Sequence, residues 1–255
     1  MKFVSRLLLV CCLLLSSGLS RGQYLTYYPN AITYQGVGGF FDATAFAVDS
    51  RGNTYVATDY INNIVHKITP AGVVTNYAGR SSGSTGLFGV DSVPAITMSI
   101  GRISSMAVDG KGNLYMVDYD NEAVLRVDTN GYMQTIAGGF SAAGWAYWFL
   151  GDTIAIHTFL NRPAGVACDK VGNVYITQVG NGRVRKIASG YIHTIAGNGV
   201  IGYLGDGGLA TAANLTLNGG IAVDTLGNIY LAGTNCRKIG TDGIIRSIAG
   251  NGIPG

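Results

Sequence analysis

The sequence predicts an all-β protein, a β-propeller built from four-stranded antiparallel blades. Three observations lead to this fold class. One segment recurs four times, each copy alternates short apolar strands with turns that contain glycine and asparagine, and no segment has a helical period. A single sheet of this kind has two apolar faces, which blades repeated around an axis bury against one another.

The first 22 residues have the composition of a signal peptide. A basic start, Met1–Arg6, precedes the apolar run Leu7–Leu15, which is too short to span a bilayer. Ser20 and Gly22 place small residues at −3 and −1 of a cleavage site before Gln23. We therefore predict a signal peptide over 1–22, a propeller over 23–255 and a secreted, extracellular protein. An uncleaved anchor is the alternative.

The predicted mature chain is electrically neutral. Removing Lys2, Arg6 and Arg21 from the 17 basic residues leaves 14, which equals the number of acidic residues. A neutral chain without a basic cluster argues against nucleic acid as the partner. No later run is long and apolar enough to predict a membrane span.

Two cysteines remain after the predicted cleavage, Cys168 and Cys236. Cys168 takes the place that valine has in the other repeats, so we expect a buried, unreactive thiol there. A Cys168–Cys236 disulfide is the alternative, which the presence of two cysteines does not establish.

Each repeat begins with an apolar strand that ends at an aspartate. The four aspartates are Asp49, Asp109, Asp169 and Asp224. Their spacings are 60, 60 and 55 residues. A Gly-Asn turn follows each aspartate and leads into an alternating strand, as in GNVYIT. We expect each aspartate to close its own turn by side-chain bonds to backbone amides. The alternative is a ring of metal ligands in the central channel.

Two further strands complete each repeat. A polar turn built on asparagine precedes the third strand, for example RVRKI. The predicted turn residues are Asn62, Asn121, Asn181 and Asn235. The fourth strand ends in YAG or IAG. The fourth repeat is shorter after its asparagine, so its third strand should be clipped. The predicted blades are 41–79, 101–138, 161–197 and 216–250.

The pattern AVDxxGNxY…DxxN…RVRKI…TIAGNG resembles NHL repeats, as in the propeller domains of secreted and cell-surface proteins such as teneurins. The resemblance covers almost all of 32–255 and implies a six-bladed propeller that usually binds partners. Only four complete repeats are present, and AITYQGVGG (31–39) looks like a fourth strand without its first three. We therefore expect a truncated chain whose open blade edges invite self-association. A compact four-bladed closure or an oligomeric ring is the alternative.

Glycine-rich loops connect the blades, as in IAGNGVIGYLGDGG (195–208). The Gly-Asp of this loop recurs at 151–152, which favours a structural role over a single active site. The glycines permit tight turns, and we expect Asp206 to cap backbone amides. A calcium loop is the alternative, but the spaced carboxylates of a DxDxDG site are lacking. We therefore expect no cofactor.

The third loop is the most distinctive candidate site. Its segment GWAYWFL contains four aromatic side chains, Trp145, Tyr147, Trp148 and Phe149. Aromatic residues on loops above a rigid scaffold commonly form binding surfaces, and stacking on a sugar is one form of this. The alternative is that they cover a small local core. Asn214 begins the N-x-S/T sequon Asn-Leu-Thr, a candidate glycosylation site.

These features predict a non-enzymatic extracellular binding or scaffold protein that presents inter-blade loops to a protein or glycan partner. There is no HExxH or CxxC motif, and the three histidines fall at three different places in the repeat. A propeller enzyme of the lactonase or lyase kind with a channel cation is an alternative that rests on fold analogy alone. A gene fragment without a functional product is another.

Overall fold

The computed structural model describes residues 43–58, 63–80, 92–138 and 153–250. The predicted signal peptide, the strand at 31–39, Asn62, the aromatic loop and the last five residues lie outside this part of the chain. Within it, eighteen strands and three single-turn 3-10 helices are found. None of these helices has the length or hydropathy needed to cross a membrane.

The strands form four sheets, one for each repeat, and consecutive strands within a repeat pair antiparallel. Blade 1 contains β1 (Ala43–Val48), β2 (Thr54–Thr58), β3 (Ile64–Ile68) and β4 (Val74–Ala78). Blade 2 contains β5 (Val93–Pro94), β6 (Ile103–Val108), β7 (Leu114–Asp118), β8 (Ala123–Val127) and β9 (Tyr132–Gly138). Blade 3 contains β10 (Thr153–Ile154), β11 (Pro163–Cys168), β12 (Val174–Gln178), β13 (Arg183–Ala188) and β14 (Tyr191–Ala196). Blade 4 contains β15 (Leu217–Val223), β16 (Ile229–Gly233), β17 (Cys236–Ile239) and β18 (Ile245–Ala249). Apart from the two-residue strands β5 and β10, each blade has four strands, so the predicted all-β propeller of four-stranded antiparallel blades is confirmed.

The loop that enters a blade first passes along the outer edge of that blade. The two-residue strand β5 pairs with β9, and β10 pairs with β14. In blade 4 a single bridge between Leu209 and Ile244 takes the same position. These pairings occupy backbone groups that an exposed edge strand would leave open to other chains.

The strands that lead to the repeated aspartates lie beside one another in successive blades; they are β1, β6, β11 and β15. The Ser104 hydroxyl donates to the Ala164 carbonyl at 2.9 Å, and the Val166 amide donates to the Ser105 hydroxyl at 3.1 Å. At Gly165 an added Cβ would overlap the carbonyl of Gly219, so this position requires glycine. The inner strands therefore pack around a common axis, with the outer strands radiating from it.

The hydrophobic core is divided into three layers, one between each pair of neighbouring blades. The first layer joins Tyr55 and Val65 of blade 1 to Met116 and Leu125 of blade 2. The second lies between blades 2 and 3, and the third between blades 3 and 4. Each blade therefore contributes one face to each neighbour, as expected for repeats that cannot bury an apolar face alone.

Blade 4 departs from the others in two ways. Its strand β17 has four residues, whereas the corresponding strands β3, β8 and β13 have five, five and six. The predicted clipping is thus confirmed. Tyr55, Tyr115 and Tyr175 are buried against the following blade, but the equivalent Tyr230 is only half-buried. The far face of blade 4 is accordingly more exposed, with Ile248 54% accessible.

The last strand of each blade carries a β-bulge at one repeated position; these strands are β4, β9, β14 and β18. The register shifts between β3 and β4, and likewise in the three later blades, and leaves one residue without a direct partner. The bulge residues are Tyr77, Ile136, Ile195 and Ile248. A bulge redirects its side chain. In blades 1 to 3 the bulge residue packs into the apolar layer against the next blade, whereas Ile248 lies on the exposed far face of blade 4.

Candidate functional site

Each of the four repeated aspartates lies in the turn that follows β1, β6, β11 or β15. In blade 2, Asp109 Oδ1 accepts the backbone amides of Lys111 and Asn113, both at 2.9 Å. Asp109 Oδ2 accepts the Asn113 side-chain amide at 2.8 Å and the Tyr115 hydroxyl at 3.1 Å. Asp49, Asp169 and Asp224 accept the same four bonds at 2.6 to 3.2 Å.

These hydrogen bonds favour the ionised carboxylate. Burial acts to raise the pKa of Asp109, but the bonds from Asn113, Lys111 and Tyr115 hold that pKa below its usual value. The same balance lowers the pKa of Asp49 and Asp169. At Asp224 the Asn228 side chain is the main cause, and the pKa falls to about 2. Four stabilised anions are thus held by neutral donors.

The sequence did not lead us to predict that the tyrosine six residues after each aspartate donates a hydrogen bond to it. Burial and the adjacent carboxylate raise the pKa of Tyr175 to about 12, so its hydroxyl remains a proton donor. Tyr55 and Tyr115 are shifted in the same direction. The signal in the sequence was the recurrence of tyrosine six residues after every aspartate.

The predicted asparagines do not share a single set of contacts. Asn121 donates its backbone amide (3.1 Å) and its side-chain amide (2.9 Å) to Asp118. Asn235 donates its side-chain amide to the Ser247 hydroxyl at 2.6 Å. Asn181 has a buried Oδ1 that meets no donor in the described part of the chain. Of the three asparagines that the structure describes, only Asn121 is therefore held to an acidic side chain.

The glycine-rich loop at 195–208 is fixed to blade 4 through Asp206. Its Oδ2 accepts the Ser247 amide at 2.9 Å, so the predicted capping of a backbone amide is present. Its Oδ1 also accepts Arg237 Nε at 2.9 Å and Nη2 at 2.6 Å. Arg237 is 3% exposed and donates further to the Asn214 carbonyl at 2.9 Å. This buried arginine, which the sequence analysis missed, makes the loop an integral part of the blade.

The sequon residues are also engaged in this loop. Asn214 is half-buried, and its Oδ1 accepts the side-chain amide of Asn198 at 2.8 Å. The Thr216 hydroxyl donates to the Gly202 carbonyl at 3.2 Å. N-glycosylation would attach the glycan to Asn214 Nδ2, which leaves Oδ1 able to accept the bond from Asn198.

The thiols and histidines do not converge. Cys168 and Cys236 are both free, and burial raises the pKa of the Cys168 thiol strongly, so this thiol remains protonated. His66 lies on β3, His157 ends a 3-10 helix and His193 lies on β14. Across the described ranges no three side chains of His, Cys, Asp or Glu are grouped so that they could hold a metal ion.

Trp145, Tyr147, Trp148 and Phe149, the predicted binding residues, lie outside the described residues. Among those described, the best-defined arrangement is the repeated Asp–Asn–Tyr turn. Its carboxylates have four donors each, which leaves little capacity to bind a cation or to transfer a proton. The remaining chemical variety lies between blades, where the bulge residue is tyrosine in blade 1 and isoleucine in the other three.

Comparison with known proteins supports the architecture. No family model and no curated protein sequence matches the chain. Among solved structures, a protein of unknown function from Bacteroides thetaiotaomicron is similar, with 20% identity and a TM-score of 0.57, over 76% of this chain and 46% of that one. A gluconolactonase from Xanthomonas campestris has 14% identity and a TM-score of 0.52, over 81% and 61%.

An auxiliary nutrient binding protein from Bacteroides ovatus is also similar, with 18% identity and a TM-score of 0.52, over 74% of this chain and 45% of that one. These neighbours are β-propeller proteins. The chain spans about half to three fifths of their lengths. At such identities the likeness concerns the fold, and neighbours with one fold include both enzymes and binding proteins.

Proposed function

We propose that this chain is a non-enzymatic extracellular propeller of the NHL-repeat type that presents its inter-blade loops to a protein or glycan partner. The blades act as the scaffold, and the aromatic segment with Trp145, Tyr147 and Trp148 provides the contact surface. In this proposal the chain is secreted after cleavage of residues 1–22. The full ring has six blades, of which this chain supplies four.

One observation carries the proposal: the acidic side chain common to every blade is committed to its own turn. Asp109, for example, is 8% exposed and accepts four hydrogen bonds from residues within six positions of it. A catalytic propeller needs acidic side chains that are free to bind a cation or to exchange a proton. A binding propeller needs only a rigid scaffold and variable loops. The nutrient-binding neighbour illustrates the second use of this architecture.

The test compares Trp148→Ala with Tyr132→Ala in the full chain. Tyr132 is an exposed aromatic residue on β9, outside the inter-blade loops, and serves as the matched control. Both variants and the parent are applied to a glycan array and to a panel of secreted ectodomains, and each binding signal is followed by a dissociation constant. Loss of a central aromatic contact costs about 2 kcal/mol, or roughly 30-fold in affinity.

The expected result is weaker partner binding by Trp148→Ala, at an unchanged melting temperature, and parent-like binding by Tyr132→Ala. Equal affinity of all three proteins would remove the aromatic loop from the proposal. Turnover of a lactone by the parent, abolished by a chelator, would replace the binding function with the enzymatic alternative.

A further inference from the structure

A cavity of about 460 Å³ opens between blades 2 and 3. Its apolar walls include Ile136 of blade 2 and Ile154, Val174 and Ile187 of blade 3. Arg126, Gln134 and the backbone around Ala188 add polar groups. This volume falls in the range of about 300–1,000 Å³ that is typical of small-molecule sites.

The corresponding space between blades 1 and 2 is filled by the protein itself. Tyr77, the bulge residue of β4, lies edge-on to Tyr55, with ring centroids 4.8 Å apart. Its hydroxyl lies 3.5 Å from the Asp128 carbonyl, at the end of β8 in the next blade. Lys67 Nζ lies 5.7 Å from the centre of the Tyr77 ring. A phenol ring therefore fits between two blades, under a cation.

Blade 2 has the same frame without the ring. Ile136 stands at the bulge where blade 1 has Tyr77, and Tyr115 stands where blade 1 has Tyr55. The position of Asp128 is taken in blade 3 by Ala188, which lines the cavity. The groove between blades 2 and 3 thus has a tyrosine and a backbone carbonyl at the positions that contact the Tyr77 ring in the first groove, but it has no ring of its own.

The cation also differs between the two grooves. Lysine occupies this position in blades 1, 3 and 4, and in each blade its Nζ lies 5.5 to 5.8 Å from the centre of its own blade's tyrosine ring. Blade 2 has Arg126, which pairs with Tyr115 in register. Its Nε is buried and meets no hydrogen-bond acceptor among the described residues. A buried guanidinium donor without an acceptor favours an anionic ligand, since carboxylates satisfy such donors with charge-assisted bonds.

We propose that the cavity between blades 2 and 3 binds a small phenolic acid. The ring takes the place that Tyr77 has in the preceding groove and packs against Ile136 and Ile187. The hydroxyl donates to the Ala188 carbonyl, as Tyr77 does towards Asp128. The carboxylate accepts hydrogen bonds from Arg126, and the Gln134 amide lies in the same wall.

The probe is 4-hydroxyphenylacetate, with two analogues that each lack one group. Binding to the full chain is measured by titration calorimetry and by saturation-transfer NMR. We expect a Kd below about 1 mM, which is reasonable for a ligand of this size. p-Cresol, which lacks the carboxylate, and phenylacetate, which lacks the hydroxyl, should each bind at least tenfold more weakly. Equal binding of the probe and p-cresol would overturn the proposal.

Two substitutions test the location. Ile136→Tyr introduces the residue that blade 1 has at this position, so it should fold, fill the cavity and abolish binding. Arg126→Met should weaken the probe roughly 10- to 100-fold, the usual effect of losing a hydrogen bond to a charged group, and leave p-cresol unchanged. Lys186→Met, in the next groove, is the control and should bind as the parent does. No binding by the parent, or full binding by a folded Ile136→Tyr variant, would contradict the proposal.

Discussion

The groove between blades 1 and 2 and the groove between blades 2 and 3 are built from the same repeat but differ in what fills them. Both contain a buried tyrosine that donates to the aspartate of its own turn. The first is completed by the Tyr77 ring beneath Lys67, whereas the second has Ile136 beside Arg126 and retains a cavity. The comparison indicates that the residues common to all blades hold the scaffold together. Function is to be sought where the repeats differ.

The largest expected effect comes from breaking what the grooves share. Asp109→Ala removes the acceptor of four hydrogen bonds and leaves the Asn113 amide and the Tyr115 hydroxyl without a partner. We expect a loss of about 2–4 kcal/mol in the free energy of unfolding, measured by urea denaturation. Asp128→Ala, which removes a half-buried turn aspartate that accepts two backbone amides, is the control and should cost about 1 kcal/mol or less. Equal losses would show that the repeated aspartate has no special structural role.

Exchanging the bulge residues sharpens the comparison. Tyr77→Ile should destabilise the protein by about 1–3 kcal/mol, because it removes a packed ring and leaves a void in the first groove. Ile136→Tyr should have a much smaller effect, because the second groove already has room for the ring. Denaturant unfolding of the two variants gives both values. A large loss in Ile136→Tyr would mean that the second groove cannot accept a ring.

The shared carboxylates also predict how stability changes with pH. The pKa of Asp224 is about 2 in the folded state, below its ordinary value of 3.8, and Asp49, Asp109 and Asp169 are lowered as well. Lowered carboxyl pKa values contribute stability that is present above about pH 4 and is lost as pH falls towards 2. Thermal melts from pH 5 to pH 2 should show this decline. In Asp224→Asn the decline should be shallower, and an unchanged profile would contradict the assignment.

The smallest expected effect separates the two cations. Lys67→Met removes a cation–π contact with two rings and should cost about 0.5–1 kcal/mol. Arg126→Met should change stability by less than about 0.5 kcal/mol, because its buried Nε makes no hydrogen bond in the described part of the chain. Unfolding curves of the two variants test the difference, and a reversed order would indicate that Arg126 is a structural residue.

The repeat made the fold predictable from sequence. Four copies of one pattern fixed the number of strands per blade, the antiparallel pairing and the short β17, because strand period and turn residues recur in each copy. The repeated aspartates were recognisable for the same reason. The tyrosine partner was missed because a tyrosine in an alternating strand equally predicts a core residue.

Other features depend on contacts between segments that are distant in sequence. Arg237 meets Asp206 across 31 positions, and nothing in the local pattern distinguishes this arginine from an exposed strand residue. The cavity beside Ile136 could not be predicted from sequence, because a residue at a bulge position gives no indication of the space beside it. The strand register shows that Ile136 corresponds to Tyr77. The aromatic loop stays a prediction from sequence.

The most direct test of the central claim is a calcium titration of the full chain, with melting temperatures recorded in calcium and in chelator. If the repeated aspartates serve only their own turns, the heat of titration should be that of dilution and the two melting temperatures should agree. A bound calcium in stoichiometric amount, with a higher melting temperature that Asp169→Asn abolishes, would contradict the account and make these carboxylates the functional site.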